Sequence, residues 1–288
     1  MAANSSADFR PAYLVYPGLY PLLMMNYWVR RSKTPIAAIV LSDFDIKYKG
    51  RYLSLPEVIL GVWQQSGFRY MLYMLLLSKF AVPIVRFWNW TRRLMGKEIR
   101  IKTYDEISRE RGIPIFRSKD FNGDTVRQFL KNVNANFIVS AYNNQILKRR
   151  LYNFPEHKTV NIHPGLLPNF RGLDGPFEAM YHGVRDAGVT IHYMDGKLDT
   201  GLIIEQEPVR IRKTDTLFSL STRCWMHGAK LLERVFGHLR SGNVPTRKQN
   251  PRDIKYPYES FPKKEKVLEF LKRKKIFTWQ DLKNIYRD

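Results

Sequence analysis

Residues 137–163, FIVSAYNNQILKRRLYNFPEHKTVNIH, determine the fold class of this chain. The runs FIVSA and TVNIH are short and rich in apolar residues, which is typical of buried strands, and the stretch 146–152 between them has a helical pattern. The strands are apolar along their length instead of alternating, and this favours a parallel sheet covered by helices on both faces. The stretch therefore predicts a strand, a crossover helix and a second parallel strand.

The same alternation extends outward from this unit toward the N-terminus. Further strands are predicted at 12–16, 35–41 and 113–116, and further helices at 19–31, 104–111 and 124–133. The predicted fold class is therefore α/β, with a Rossmann-like, mostly parallel sheet and helices on both faces. The region between Lys47 and Arg100 has no strand signal and does not fit the repeating unit.

Composition limits the possible partners and cofactors. The 288 residues include 48 Lys and Arg against 26 Asp and Glu, so the formal net charge is +22. Nucleic acid, acidic lipid headgroups and phosphorylated substrates are all attracted by such a charge. The single cysteine, Cys224, excludes an internal disulfide framework and a thiolate zinc cluster, and no histidine spacing indicates a metal site. Residues 1–10 lack a signal-peptide pattern, which predicts a cytoplasmic protein.

An apolar, aromatic insertion interrupts the α/β pattern at about residues 50–100. Its core, GFRYMLYMLLLSKFAVPIVRFWNW at 67–90, contains Arg69, Lys79 and Arg86, and these charges predict that it does not span a membrane. Two interpretations remain: helices packed on the domain, or an interfacial hairpin whose basic residues meet headgroups at the inner membrane surface. Packing is favoured because apolar helices usually belong to a core. An exposed insertion is equally compatible with a homodimer interface.

The C-terminal region predicts a basic helical extension. Residues 250–262 are rich in Pro and Tyr and are interpreted as a linker, whereas 263–275, KKEKVLEFLKRKK, predict an amphipathic helix and 278–285 a second short helix. We therefore divide the chain into a catalytic domain at 1–248, which includes the insertion, and an extension at 249–288.

The most informative motifs are VNIHPGLLPNFRGLDG at 160–175 and KLDTGLII at 197–204. Alternate residues of a strand point the same way, so Asn161 and His163 share one face before Pro164 and Gly165 end the strand. An amide, an imidazole and the carboxylate of Asp199 are suited to acyl transfer: they stabilise an oxyanion, handle a proton and orient the imidazole. Because no Ser or Cys nucleophile elbow is present, attack by a substrate amine is favoured. Asn-x-His alone is also compatible with a buried structural histidine.

The string NIHPGLLPNFRG followed by LDTG resembles the hallmark of the 10-formyltetrahydrofolate-dependent formyltransferases, which act on glycinamide ribonucleotide, methionyl-tRNA or aminosugars. The resemblance places Asn161, His163 and Asp199 on the catalytic residues. It implies that an amine attacks the formyl carbon, that Asn161 holds the oxyanion, that His163 stabilises it or takes a proton, and that Asp199 assists through water. The residues that the resemblance assigns to folate binding are Asn144, Gln145, Ile146, Leu147, Gly165, Leu166, Leu167, Pro168 and Asp195. Gly165 departs from the Ser of many members.

The resemblance leaves the formyl acceptor open. Methionyl-tRNA formyltransferases carry a C-terminal barrel domain for which the sequence after Arg247 is too short, although the basic charge is compatible with tRNA. The aromatic residues interleaved with Arg at 66–100 favour peripheral membrane contact or a lipid-linked amine. An aminosugar, free or linked to a nucleotide or a lipid, is therefore the leading acceptor class. A non-catalytic binding protein on the same scaffold and a hydrolase that releases formate are the alternatives.

Overall fold

A seven-stranded mixed sheet forms the centre of the computed structural model, which describes residues 9–43, 46–48, 51–143 and 145–285. The strands are β1 (Pro11–Val15), β2 (Ala38–Ser42), β3 (Ile46–Tyr48), β4 (Arg51–Leu53), β5 (Ile115–Ser118), β6 (Phe137–Ala141), β7 (Thr159–His163), β8 (Asp186–Tyr193) and β9 (Ile203–Arg210). The order in the sheet is β5-β2-β1-β6-β7-β8-β9, and β3 and β4 form a separate pair. The first five strands in this order, from β5 to β7, are parallel to one another. Strand β8 is antiparallel to β7, and β9 is antiparallel to β8.

Helices cover the sheet and form the insertion. They are α1 (Leu19–Arg31), α2 (Leu55–Ser66), α3 (Phe68–Leu75), α4 (Ala81–Leu94), α5 (Tyr104–Arg111), α6 (Asp124–Asn132), α7 (Arg149–Tyr152), α8 (Gly175–Tyr181), α9 (Leu217–Ser241), α10 (Lys264–Arg273) and α11 (Trp279–Ile285). A π-helical turn, Leu76–Phe80, joins α3 to α4. The long helix α9 packs on β8 and β9, and a side chain at Gly228 would come within 3.0 Å of Ile162 and Val189.

The predicted α/β class with a mostly parallel sheet is confirmed, and β6, β7 and α5 have the predicted bounds. Three strand predictions were displaced: β1 is Pro11–Val15 instead of 12–16, β2 is Ala38–Ser42 instead of 35–41, and β5 is Ile115–Ser118 instead of 113–116. Strand β5 begins at Ile115, after Pro114, because proline has no N–H to donate to the sheet. The expectation that no strand lies between 47 and 100 was wrong, since β4 lies there in an antiparallel pair with β3. Each of these strands has three residues, which is too short for an alternation pattern.

The insertion forms α2 and one continuous helical run of 27 residues, Phe68–Leu94. By length and composition alone this run is able to cross a membrane, so its charges do not by themselves exclude a span, and the expectation that it does not span stays a prediction. One face is nevertheless packed in the core, through Tyr70, Tyr73, Leu77, Ala81 and Val85, each at most 5% exposed. From Tyr73 onward these buried residues are four positions apart, slightly more than one α-helical turn. The π-helical turn contains more residues per turn than an α-helix and so keeps them on one face. The packed interpretation is confirmed for that face.

Tyr70 connects the insertion to the loop that follows β7. Its hydroxyl donates to Oδ2 of Asp174 at 2.7 Å, and Asp174 Oδ1 accepts from the backbone N–H of Phe177 at the start of α8. Burial raises the pKa of Asp174 to about 6, although both hydrogen bonds oppose the rise. Since this pKa exceeds the ordinary value of 3.8, the folded state binds the proton more tightly. Asp174 therefore makes the free energy of unfolding decrease as pH rises toward 6.

The Tyr70→Phe variant is expected to lose about 1.5–3 kcal/mol of unfolding free energy at pH 8, because a buried carboxylate loses its donor. The loss should be smaller at pH 5, where Asp174 is protonated. Urea unfolding at both pH values measures the difference. Tyr104→Phe is the matched control, because the Tyr104 hydroxyl is buried with no hydrogen-bond partner among the described residues. Equal losses in the two variants would contradict the role of the Tyr70–Asp174 bond.

The predicted linker at 250–262 is not a free linker, because it packs on the loop after β7. The ring of Tyr256 stacks on Phe170 with centroids 4.7 Å apart, and Asn169 accepts from the backbone N–H groups of Lys255 and Tyr256. The predicted helix after it is confirmed as α10, which buries Val267 and Phe270. The extension thus helps to fix the conformation of a loop that the sequence assigns to the site.

Candidate active site

Strand β7 presents the amide and imidazole that the sequence analysis singled out. Asn161 lies within the strand, directly across from His192 of β8, while His163 ends the strand across from Thr190. His163 is 3% exposed and Asn161 is half-buried. The site therefore extends from the end of β7 onto its face, where the antiparallel strand β8 adds a second histidine.

Asp199 completes the cluster from the loop between β8 and β9. Its Oδ2 lies 3.7 Å from Nδ1 of His163 and accepts from the backbone N–H of Gly172 at 3.2 Å, and its Oδ1 lies 3.7 Å from Nε2 of His192. Asp199 has a left-handed φ of +52°, a conformation that few residues other than glycine adopt and that tends to occur at functional sites. The structure thus brings Asn161, His163 and Asp199 together, as predicted.

Gly201 is required for this loop to close on β8. A side chain at Gly201 would place its Cβ 1.7 Å from the carbonyl oxygen of Tyr193. The LDTG motif therefore combines a carboxylate with a glycine because the loop backbone must lie directly against the strand that carries His192.

Hydrogen bonds define the tautomer of His163. Its Nε2 lies 2.8 Å from the carbonyl oxygen of Phe170, which only accepts, so Nε2 carries the hydrogen and Nδ1 has the lone pair in the neutral ring. Burial lowers the pKa of His163, although the attraction of Asp199 opposes the shift, so the ring is neutral at pH 7. A proton taken up by this ring is held at Nδ1, next to Asp199.

Asp199 remains ionised over the whole physiological range. Burial raises the pKa of its carboxyl, but the attraction of His163 and His192, which are cations when protonated at low pH, and the hydrogen bond from the backbone N–H of Gly172 outweigh burial and hold that pKa well below its usual range. A buried carboxylate at 3.7 Å from Nδ1 is too far for a hydrogen bond in this state, yet it stabilises an imidazolium. The pair is thus able to accept and hold one proton.

His192 is a site residue that the motif reading did not assign. Its Nδ1 lies 2.9 Å from the carbonyl oxygen of Tyr193, and its Nε2 lies 3.3 Å from Nδ2 of Asn161. The ring therefore contacts both Asn161 and Asp199, and fixes the amide relative to the carboxylate. Only its position on the strand before the LDTG motif marked it in the sequence.

His192→Gln is expected to lower kcat about tenfold, the equivalent of one hydrogen bond, with little change in the KM of either substrate. The glutamine cannot contact Asn161, Asp199 and the Tyr193 carbonyl at once. Steady-state kinetics measures the split between kcat and KM. His238→Gln is the matched control, because His238 pairs with Glu205 at 2.8 Å outside the cluster. A rise in KM alone would contradict a positioning role.

The loop after β7 is held tightly against the neighbouring strands. Thr190 donates to the carbonyl of Gly165 at 2.6 Å, and Gln206 donates to the carbonyl of Leu167 at 2.9 Å. The Leu167–Pro168 peptide bond is cis. A side chain at Gly165 would place its Cβ 2.7 Å from Nε2 of His163, so glycine permits the observed imidazole position. Glycine at position 165, where many family members have serine, therefore leaves room for the imidazole of His163 and also removes a hydroxyl.

Two further residues near the site come from separate parts of the chain. Gln249, in the extension, donates from Nε2 to the carbonyl oxygens of Asp199 and Gly201, each at 2.9 Å. Arg171 donates to Oε1 of Gln249 at 2.9 Å. The sequence analysis did not identify Gln249, because nothing in a single glutamine of a polar segment indicates a contact 50 residues away.

The residues assigned to folate by resemblance have different surroundings. The Gln145 amide bonds to Ser42 and to backbone groups of Lys119 and Phe121, on the side of the sheet remote from β7. Asp195 accepts from Thr200 at 2.8 Å within its own loop. Leu147, Gly165, Leu167 and Pro168 are buried, Leu166 is half-buried, Ile146 is 69% exposed, and Asn144 lies outside the described residues. Their role in folate binding stays a prediction.

Comparison with known proteins identifies the family. A sequence profile described as formyl transferase matches residues 93–236, which is half of the chain. The chain belongs to the formyl transferase family. The matched range contains Asn161, His163, His192 and Asp199, whereas the insertion lies outside it except for residues 93–100.

Curated relatives of this formyl transferase include two methionyl-tRNA formyltransferases. The protein of Natranaerobius thermophilus is 31% identical over 181 residues, which cover 63% of this chain and 58% of the relative. The protein of Geobacillus sp. (strain WCH70) is 33% identical over 156 residues, which cover 54% of this chain and 49% of the relative. The chain thus spans less than two thirds of the length of either relative.

Solved structures show the same fold. The phosphoribosylglycinamide formyltransferase of Anaplasma phagocytophilum aligns with a TM-score of 0.55 and 19% identity, and covers 88% of this chain and 99% of its own. A 4-N formyltransferase of Francisella tularensis aligns with a TM-score of 0.52 and 15% identity, over 88% of this chain and 76% of its own. WlaRD, a sugar 3N-formyl transferase solved with dTDP and 5-N-formyl-THF, has a TM-score of 0.52 and 16% identity, over 88% of this chain and 69% of its own.

Proposed function

We propose that this protein transfers a formyl group from 10-formyltetrahydrofolate to a primary amine, with an aminosugar linked to a nucleotide or a lipid as the acceptor. The observation that supports the proposal is the convergence of Asn161, His163 and Asp199 on one face of β7 and β8. An amide donor, a neutral imidazole and an ionised carboxylate fit a donor whose carbonyl gains negative charge during attack. The folate supplies an activated formyl group when it is bound.

Each side chain has a definable role. The Asn161 amide has two hydrogens; one points to Nε2 of His192, and the other is available for the formyl oxygen. His163 accepts a proton at Nδ1 as the amine forms its bond to carbon, and Asp199 stabilises the resulting imidazolium. In the net reaction an N–C bond forms on the acceptor, the bond from carbon to N10 of the folate breaks, and the proton lost by the amine is balanced by one gained at N10.

The direct test is a transfer assay with purified protein, 10-formyltetrahydrofolate and a panel of nucleotide-linked aminosugars. Formylated sugar detected by mass spectrometry, together with stoichiometric tetrahydrofolate, supports the proposal. Tetrahydrofolate released with free formate and no formylated amine would instead indicate a hydrolase. Saturable binding of a stable folate analogue with no turnover of any amine would favour a binding protein on the same scaffold.

A second acceptor, aminoacyl-tRNA, is favoured by a large basic cleft. The cleft has a volume of 1590 Å³ and lies between α1, α9 and the C-terminal segment. Eleven Lys or Arg residues line it against three acidic residues, Glu98, Asp215 and Asp281. Such a lining suits a polyanion bound through its phosphates. The curated relatives also act, by their names, on methionyl-tRNA.

Salt dependence separates the two acceptors. If the acceptor is a tRNA bound in this cleft, kcat/KM should fall steeply as salt increases. The variants Lys272→Gln and Lys275→Gln should then have a lower kcat/KM than the wild type at the same salt concentration. An aminosugar acceptor requires kcat/KM to be nearly independent of these lysines. A position on a membrane is a separate proposal, because it depends on a different surface.

A further inference from the structure

The outer face of the helical insertion is apolar and aromatic. Of the nineteen large apolar side chains that are exposed among the described residues, twelve lie between Leu55 and Met95. They include Phe68, Phe80, Phe87, Trp90 and Leu94, which are 53–69% exposed. The rings of Phe87 and Trp90 lie 5.9 Å apart, and those of Trp63 and Phe68 lie 6.4 Å apart, so the exposed residues cluster. We call this surface the aromatic face.

The aromatic face is not the core-facing side of the helices. That role belongs to the opposite stripe from Tyr70 to Val85, which is buried in the domain core. Hydrogen bonds fix the insertion in this orientation: Asn89 donates to Glu106 at 2.9 Å near one end, and Gln65 donates to the carbonyl of Phe261 at 2.7 Å near the other. A helix that is apolar on both sides needs a second apolar environment for the outer side.

Basic residues surround the aromatic face. Residues 55–100 contain seven Lys or Arg and only two acidic residues, Glu57 and Glu98. Arg69 and Lys97 are exposed, and neither has an ion-pair partner within the described ranges. Arg86 is 68% exposed even though it lies 3.3 Å from Asp105. Lys264 of the extension lies beside Gly67, where its Cγ would be 3.5 Å from an added Cβ. The surroundings are thus complementary to an anionic surface.

We propose that the aromatic face docks onto a bilayer that contains anionic phospholipid, with its aromatic and aliphatic side chains between the headgroups and the basic residues on lipid phosphates. Tryptophan rings such as that of Trp90 are favoured at this depth, and basic side chains near the surface each add attraction. The helices lie in the interface plane and do not cross the bilayer, because the buried stripe from Tyr70 to Val85 stays within the protein core. A second copy of the chain is a poorer occupant, since a symmetric contact would oppose the same cations.

The test is co-sedimentation of the full-length protein with vesicles of phosphatidylcholine alone or mixed with phosphatidylglycerol. We expect the wild type to partition onto the mixed vesicles. The double variant Phe87→Gln/Trp90→Gln should partition at least about tenfold less, because two large side chains no longer leave water. Trp279→Gln is the matched control: Trp279 is 77% exposed on α11, outside the aromatic face, and its loss should have no effect.

Charge variants test the headgroup contact independently. Arg69→Gln/Lys97→Gln should lower partition about tenfold on mixed vesicles and have little effect on pure phosphatidylcholine. Unchanged thermal unfolding shows that each variant is folded.

The proposal is overturned if the wild type stays in the supernatant with mixed vesicles, or if the Phe87/Trp90 variant sediments like the wild type. It is also overturned if light scattering shows a wild-type dimer that this variant converts to a monomer while vesicle binding is absent. None of these readouts depends on formyl transfer.

Discussion

Asp199→Asn is expected to lower kcat about 10²–10⁴-fold without unfolding the protein, because the proton-accepting pair loses its charge. In the wild type the carboxylate lies 3.7 Å from Nδ1 of His163, where it stabilises an imidazolium. An asparagine side chain keeps the size and still accepts from the N–H of Gly172, but it has no charge with which to stabilise that cation. The proton from the attacking amine is then held by a less basic imidazole.

The residual activity of Asp199→Asn should also have a displaced pH profile. Burial lowers the pKa of His163 and Asp199 opposes this shift, so loss of the carboxylate lowers that pKa further. The acid limb of kcat/KM, where His163 becomes protonated and can no longer accept a proton, should therefore move to lower pH. Kinetics from pH 5 to pH 8 measures both effects.

Asp186→Asn is the matched control for this variant. Asp186 begins β8 and lies 3.6 Å from Arg210, outside the cluster, so the same chemical change there should leave kcat and the pH profile as in the wild type. If Asp199→Asn retained wild-type kcat, or if its acid limb moved to higher pH, the assigned role of the carboxylate would be wrong.

Asn161→Ala is expected to lower kcat about 10²–10³-fold, the usual consequence of losing one oxyanion donor. The KM of the folate should change little, because the donor is needed mainly when the formyl oxygen gains charge. The same change leaves Nε2 of His192 without its partner, so part of the loss arises through the histidine. Rapid-quench measurement of a single turnover gives the rate constant of the chemical step, so a slow product release does not mask the loss.

Two comparisons sharpen this second result. The Asn161→Ala/His192→Gln double variant should lose less than the product of the single losses, because the two residues contact each other. Asn132→Ala, at the exposed C-terminal end of α6, is the control for loss of an amide. A kcat for Asn161→Ala equal to that of the control would mean that another group holds the oxyanion.

Local sequence signals were sufficient for the five parallel strands of the sheet and for the reactive groups, but the antiparallel addition of β8 and β9 to the sheet was not predicted. Strands β6 and β7 were predicted with their bounds because they are short, apolar and limited by turns. Helix α5 also has its predicted bounds, and in the structure Thr103 and Glu106 cap its start and Gly112 ends it. The hairpin of β3 and β4 was missed because three-residue strands have no readable period. The insertion was recognised as apolar, but sequence alone left open which face is buried.

The sequence by itself determined the α/β class, the presence of Asn161, His163 and Asp199 and the family they indicate, since all of these follow from short contiguous patterns. Only the tertiary structure decided that His192 joins them, that Gln249 holds the loop of Asp199, and that the insertion buries one face and exposes the other. These facts depend on contacts between residues far apart in the chain. Such contacts are selected by the packing of the whole core, and no local pattern records them.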